Sequence, residues 1–365
     1  MSDRSVRFGL CVFLLSIPLL IPAGELNPPA APASTMITLE EIEPRTPVET
    51  LPGSSGAIHV IDQPGSYFLT QSLTGVSGKS GIVIAASHVT LDLMGFEIAG
   101  VTGSLCGIIV PSPEVSITIR NGSIHGWGEH GVEANAANGS QLLDLRALGN
   151  GTAPNDHDGL RLGQGGVIAR CIARGHPAEG ISADNGTSVI GCSASENTIG
   201  ISGSAITATG CSATGNTFGG FSSSFGTIVG CNASFNDGYG FRIDRGSLID
   251  CTATWNGTNG IWANEDSTVR GNTCSWNLSG AGIFAGSGPT SSRIEDNVVS
   301  GNDIGIQALS TNNLIIRNSA RGNTTSNYSI NAGNAYGPIV DVAGAGDMTT
   351  LVTTDHMHPW ANFEY

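Results

Sequence analysis

Lysine is almost missing from this chain, since Lys79 is the only one in 365 residues. Charged residues make up only 12%, and the acidic ones outnumber Lys and Arg 30 to 15, for a formal net charge of −15. A chain so poor in positive charge lacks the basic footprint of a nucleic-acid partner or an anionic membrane surface. A neutral or cationic ligand, or one bridged by a divalent cation such as calcium, suits it better. Good helix formers are scarce, whereas 52 Gly and abundant Ser, Thr and Asn favour short strands and tight turns. Long apolar runs are missing too, with one exception at the N-terminus.

There, Arg4 and Arg7 precede "FGLCVFLLSIPLLIPAG". A charged start, a short apolar run broken by Pro18 and Pro22, and small residues behind it read as a secretory signal over 1–24 rather than a membrane span. The mature chain is then expected to be secreted, periplasmic or on the cell surface, with no membrane span left after cleavage. Residues 25–55 read as a linker ("PPAAPAS") and an N-terminal cap with a short helix in "MITLEEIEPR". The main domain is expected over 56–335 and a C-terminal cap, containing His356 and His358, over 336–365.

What the chain has in excess is repetition. "GCSASENTIGI", "GCSATGNTFGGF", "GCNASFNDGYGF" and "DCTATWNGTNGI" follow one another, with cysteine at 171, 192, 211, 231 and 251. Three positions before each cysteine stand Ile168, Val189, Ala208, Ile228 and Leu248; two after it stand Ala173, Ala194, Ala213, Ala233 and Ala253. Five after it come His176, Asn197, Asn216, Asn236 and Asn256. The frame continues with Asn272, Asn297 and Asn318 in place of cysteine, puts Cys274 in the alanine row, and places Asn121 and Leu145 at the cysteine position upstream. A period near 20 residues with Gly and Asn breaks matches one turn of a β-solenoid, whose rungs pair about 4.8 Å apart. Asn suits the corners, both by tolerating left-handed backbone and by bonding turn groups between rungs. Stacked cysteines in parallel register point the same way, so buried thiols are expected rather than strained disulfides.

The strings "QPGSYFLTQSL", "SHVTLDLMGFEI", "SITIRNGSIHGWGEHGV", the GC-x-A-x-x-N units and "HPWANFEY" carry a resemblance over residues 58–365. The chain resembles the right-handed parallel β-helix proteins of the pectin-lyase-like superfamily, in particular the secreted β-helix repeat proteins without assigned activity. The resemblance implies an all-β right-handed parallel β-helix, here of about ten rungs between two caps. Lyases, hydrolases, epimerases, tail-spikes and inert scaffolds share that fold, so chemistry must be argued from a site.

One stack of turn positions concentrates ionisable groups: His130, Asp158 and Glu179 on three consecutive rungs, before Ile199, Gly219 and Tyr239 take over. Glu129, Asp156, His157 and His176 lie around it, two of them in an inserted loop, "NGTAPNDHDG", and Arg161 is expected beside Glu133. Carboxylates on adjacent or alternate rungs bracket the separations used in glycoside hydrolysis. With calcium, and Arg161 or a histidine as base, the same groups suit β-elimination of a uronate. His130, His157 and His176 with a carboxylate suit a transition metal. "NDHDGL" and "GHPAEGIS" resemble elements of polygalacturonase-type hydrolases, which implies Asp158 as a catalytic carboxylate and His176 as its helper; the paired Asp and the Arg-Ile-Lys element of that family are missing, as is the Trp-Ile-Asp-His element of pectate lyases. Tyr239 and Trp262 are candidates for stacking on sugar rings, whereas Trp255 and Trp276 share one rung offset that corner packing explains as well.

The catalytic candidates are thus Asp158, Glu179, His130, His176 and Arg161, and the ligand-binding ones Asp156, His157, Glu129, Tyr239 and Trp262. The reading that follows is an exported protein associated with polysaccharide or cell-envelope glycan, binding or scaffolding without turnover. The alternatives are a polysaccharide hydrolase or uronate lyase, and a periplasmic metal-binding β-helix similar to the copper-associated proteins of nitrous-oxide reductase maturation.

Overall fold

The computed structural model describes residues 45–151, 157–286, 291–343 and 355–365. The expected signal, the linker and all but the last residue of the expected helix lie outside them. Along the described residues the chain winds as a parallel β-helix in which each rung gives three short strands, as in Thr207–Thr209, Ser212–Thr214 and Gly219–Ser224. The third strands stack into a thirteen-stranded sheet running from Ala57–Ile61 to Ser326–Ile330, and the first two form a 26-stranded sheet folded around a corner. Thirteen rungs exceed the ten or so expected, because early strands such as Ala57–Ile61, Ser80–Ile84 and Ile108–Ile109 belong to rungs without the Cys and Asn markers.

Alternation explains the thin core. In three-residue strands such as Ser-Ala-Ser, Ser-Ala-Thr, Thr-Ala-Thr, Asn-Ala-Ser and Ile-Ala-Arg the flanking side chains face out and the alanine faces in, so Ala173, Ala194, Ala213, Ala233 and Ala253 are fully buried in one row. Cys274 continues that row opposite Ala253, as its spacing requires. Larger side chains fill the space in front of the thirteen-stranded sheet, where Phe221 stacks on Phe241 at 4.9 Å.

The asparagines hold the corners. Asn216 donates from its backbone N–H and from Nδ2 to Oδ1 of Asn236, at 3.0 and 2.8 Å, and Nδ2 also reaches the Ala194 carbonyl on the rung before. Each amide therefore ties three rungs, from Asn197 through Asn302. The left-handed backbone is not on these asparagines as expected but one residue earlier, at Gly215, Phe235, Trp255 and Trp276. Likewise Asn121 is itself the left-handed residue of its corner, and Gly122 takes the cysteine position opposite Leu145.

In the cysteine row, the Cys171 N–H donates to Cys192 Sγ at 3.4 Å, and the Cys171 thiol donates to the Ala169 carbonyl at 3.3 Å. All seven described cysteines are free and buried. None of the seven is expected to react with a thiol reagent in the folded protein, and all should react once it is unfolded; rapid labelling without denaturant would contradict this packing. After Cys251 the row continues as Asn272, Asn297 and Asn318 and ends on Asn362. Asn362–Glu364 pairs with Ser319–Arg321 and Ile339–Asp341, closing that end of the 26-stranded sheet. His358 accepts the Trp360 N–H there, a turn contact within the cap.

Candidate functional site

Three rungs bring the ionisable stack together at one edge of the thirteen-stranded sheet. Glu133 and Arg161 face each other in register on Val132–Ala134 and Leu160–Leu162, and Glu179 opens the next strand, Glu179–Ala183. Arg161 lies between two carboxyl groups, 3.6 Å from Glu133 and 3.9 Å from Asp158. Asp158 Oδ1 accepts the Glu179 N–H at 3.1 Å. Burial, and a hydrogen bond shared with the Glu179 carboxyl, push Asp158 up to about 8, so it keeps its proton at neutral pH.

His130 is held by both nitrogens. Its Nδ1 accepts the Asp158 N–H at 2.9 Å, which leaves the proton on Nε2 for Glu133 at 3.2 Å. Burial, then the neighbouring His157 and Arg161, push His130 down to about 4 and keep the ring neutral. His157 stands edge-on to it, with ring centroids 4.9 Å apart, and among the described residues neither of its nitrogens has a hydrogen-bond partner.

Several expectations are corrected by this arrangement. Asp158, expected on a surface turn as a catalytic carboxylate, is only 5% exposed; Arg161 and Glu179 form the accessible rim. His176 does not belong to the site. It fills one place in the asparagine row, its Nδ1 accepting the Asn150 N–H at 3.3 Å and its Nε2 donating to the Ala147 carbonyl at 3.1 Å, as an asparagine amide would. Glu129 turns the other way and accepts the Cys106 thiol at 3.3 Å, and burial together with that carboxylate pushes the thiol up. Asp156 lies outside the described residues.

Two of the three histidines expected as metal ligands are engaged elsewhere. His130 is saturated and His176 is committed to the ladder, and among the described residues no group of three His, Cys, Asp or Glu is arranged to hold a metal ion. Calcium fits the carboxylates poorly as well, since the Arg161 guanidinium already places positive charge between Glu133 and Asp158.

The aromatic expectations also change. Tyr239 is 3% exposed, covering Gly219 between Phe218 and Trp262, and offers no face to a sugar. Trp262 does point outward, half-buried among Tyr239, Phe284 and the Arg242 guanidinium. Among the exposed rings are Phe235, Trp255 and Trp276, which stack on one another on successive rungs. The recurrence of an aromatic one residue before the Asn row could have shown all three, but Phe235 escaped because it is not a tryptophan.

This is a solenoid whose strands, ladders and corners define the parallel β-helix class. The sequence matches the family described as the right handed beta helix region over 153–274 and 221–340, more than half of its length, and the chain belongs to that family. Among solved structures, the Azotobacter vinelandii mannuronan C-5 epimerase AlgE4 A-module is 15% identical over 74% of this chain and 87% of that one, with a TM-score of 0.62. The periplasmic alginate epimerase AlgG is 14% identical over 82% of this chain and 81% of that one, with a TM-score of 0.54. At these identities the likeness is one of fold. No curated protein matches the chain in sequence.

Proposed function

We propose that this protein is exported and binds polysaccharide along the outer face of the thirteen-stranded sheet, without turning it over. One row carries the reading: Arg161, Ser182, Ser202, Ser222, Arg242 and Trp262 stand in register on successive rungs. At about 4.8 Å per rung, three hydroxyls lie between two guanidiniums over about 19 Å, a straight polar track for an extended glycan. Arg242 is exposed, forms no ion pair among the described residues and sits 5.1 Å from the Trp262 ring, so it offers a cation beside an aromatic ring. The fold's likeness to two alginate epimerases supports polysaccharide as the ligand class. Export is supported by Arg4, Arg7 and the apolar run behind them.

Turnover at the early rungs is a second reading, favoured by Asp158. A carboxylic acid that holds its proton to about pH 8, beside a second carboxyl and a guanidinium, has the parts for acid–base chemistry on a sugar. The mature protein should be run against acidic and neutral polysaccharides with and without calcium, reading retention, new reducing ends and unsaturated-uronate absorbance. Retention without products, weakened about tenfold by Arg242→Ala, is the expected result. Products abolished by Asp158→Ala would replace binding by turnover. Neither retention nor products would leave a structural scaffold.

A further inference from the structure

At the corner between the second and third strands, three aromatic side chains stand one above another. Phe235 and Trp255 are 6.4 Å apart with planes within 5°, and Trp255 and Trp276 are 5.7 Å apart within 12°. They remain 59%, 45% and 53% exposed. Their backbones are left-handed, with φ of 55°, 56° and 59°. Bulky residues rarely hold such angles, and glycine stands at the same offset on the rungs that bracket them, Gly215 and Gly301. The chain thus places large rings where glycine would be less strained, and burial returns little of that strain because half of each ring faces water.

The surroundings say what such a stack suits. A hydroxyl row runs alongside it on the neighbouring strands, Ser234, Thr254, Ser275 and Ser300 in register, ending on the exposed Arg321. The indole of Trp276 leans over Gly301, where a β-carbon would meet it at 2.8 Å. Two open grooves meet at that ring, one of about 370 Å³ toward Arg321 and Tyr365 and one of about 310 Å³ toward Asp303 and Thr324. A sugar ring has an apolar face and a rim of hydroxyls, which complements aromatic faces beside hydrogen-bonding groups. Three half-exposed rings offer roughly 300–400 Å², well short of the roughly 800 Å² per partner of a stable protein interface, which argues against a second copy as occupant.

We propose that the Phe235, Trp255 and Trp276 stack, with its hydroxyl row and Arg321, is a second carbohydrate-binding surface, around the corner from the thirteen-stranded sheet. It rests on the polysaccharide reading for its ligand class alone. Two contact lines on different faces let one protein hold two glycan chains, or two stretches of one.

The test is affinity electrophoresis of the mature protein through gels cast with alginate, polygalacturonate or hydroxyethylcellulose. Wild type is compared with Arg242→Ala and with the double variant Trp255→Gly, Trp276→Gly. Glycine suits the left-handed corners, so the double variant should keep its circular dichroism and urea midpoint. The expected result is retardation weakened about tenfold or more by the double variant, together with loss of tryptophan fluorescence change on adding the retarding polysaccharide. Weakening by the double variant but not by Arg242→Ala keeps this inference and removes the sheet-face reading. Weakening by Arg242→Ala alone overturns the inference and leaves that reading standing. Unretarded wild type in every gel overturns both, and a wild-type dimer in sedimentation that the double variant abolishes makes the stack a self-contact instead.

Discussion

Asn256→Ala is expected to lower the unfolding free energy by about 3–5 kcal/mol, the sum of two or three buried polar groups left without partners. Asn256 Oδ1 accepts the Asn236 N–H at 3.2 Å and Asn236 Nδ2 at 2.9 Å, while its own Nδ2 donates to the Ala233 carbonyl at 3.1 Å and Asn277 Oδ1 at 2.9 Å. Alanine removes all four bonds at a place where Asn256 is fully buried and water has no access. Cys231→Ala provides the comparison. It deletes a thiol of similar burial that weakly accepts the Cys211 N–H and weakly donates to the Val229 carbonyl, and should cost about 1–1.5 kcal/mol. Urea unfolding followed by far-ultraviolet circular dichroism measures both; equal shifts in midpoint would mean that the amide row is filling rather than fastening. His176→Asn should be nearly neutral, since the imidazole already makes the amide's bonds.

Asp158→Asn should flatten the fall of stability with pH between about 4 and 8. In the folded protein Asp158 keeps its proton up to about 8, whereas unfolded it titrates near 3.8. Across that window the folded state binds more protons, so its contribution is complete below 3.8 and is lost as pH rises through 8. Asparagine mimics the protonated acid, accepting the Glu179 N–H and donating toward the Glu179 carboxyl. Relative to wild type, the variant should gain at least about 1.4 kcal/mol between pH 5 and pH 9, the worth of one displaced pH unit. His130 acts in the opposite sense: with its folded value near 4 against 6.5 unfolded, its contribution is present above 6.5 and lost as pH falls toward 4. Chemical denaturation at several pH values separates the two, and parallel profiles for wild type and Asp158→Asn would mean that the carboxyl is ionised in the fold.

How much of this was legible depended on which residues recur. The alanine, cysteine and asparagine rows lie where their spacing puts them, because a side chain that must fit one inward position on every rung leaves a period in the sequence. The early rungs left no such period. Ile61, Ile82 and Ile84 fill the same core with common apolar side chains, and the rung count came out short. At the site, the stacking of His130, Asp158 and Glu179 and the pairing of Arg161 with Glu133 followed from the frame. Depth did not: the frame says which rung a residue occupies, not that Asp158 is covered or that Tyr239 folds over Gly219. His176 misled because a histidine in an asparagine place reads as chemistry until both of its nitrogens are found on backbone groups.

The corner amides and thiols bond only to the rungs on either side, so the fold has no built-in length. Removing 210–229 would bring Cys231 up against Cys192 and Asn236 against Asn197, each corner meeting its own kind again. The molecule is in this sense a ruler graduated in rungs of about 4.8 Å, and adding or losing a turn changes how far it reaches without changing what it is made of.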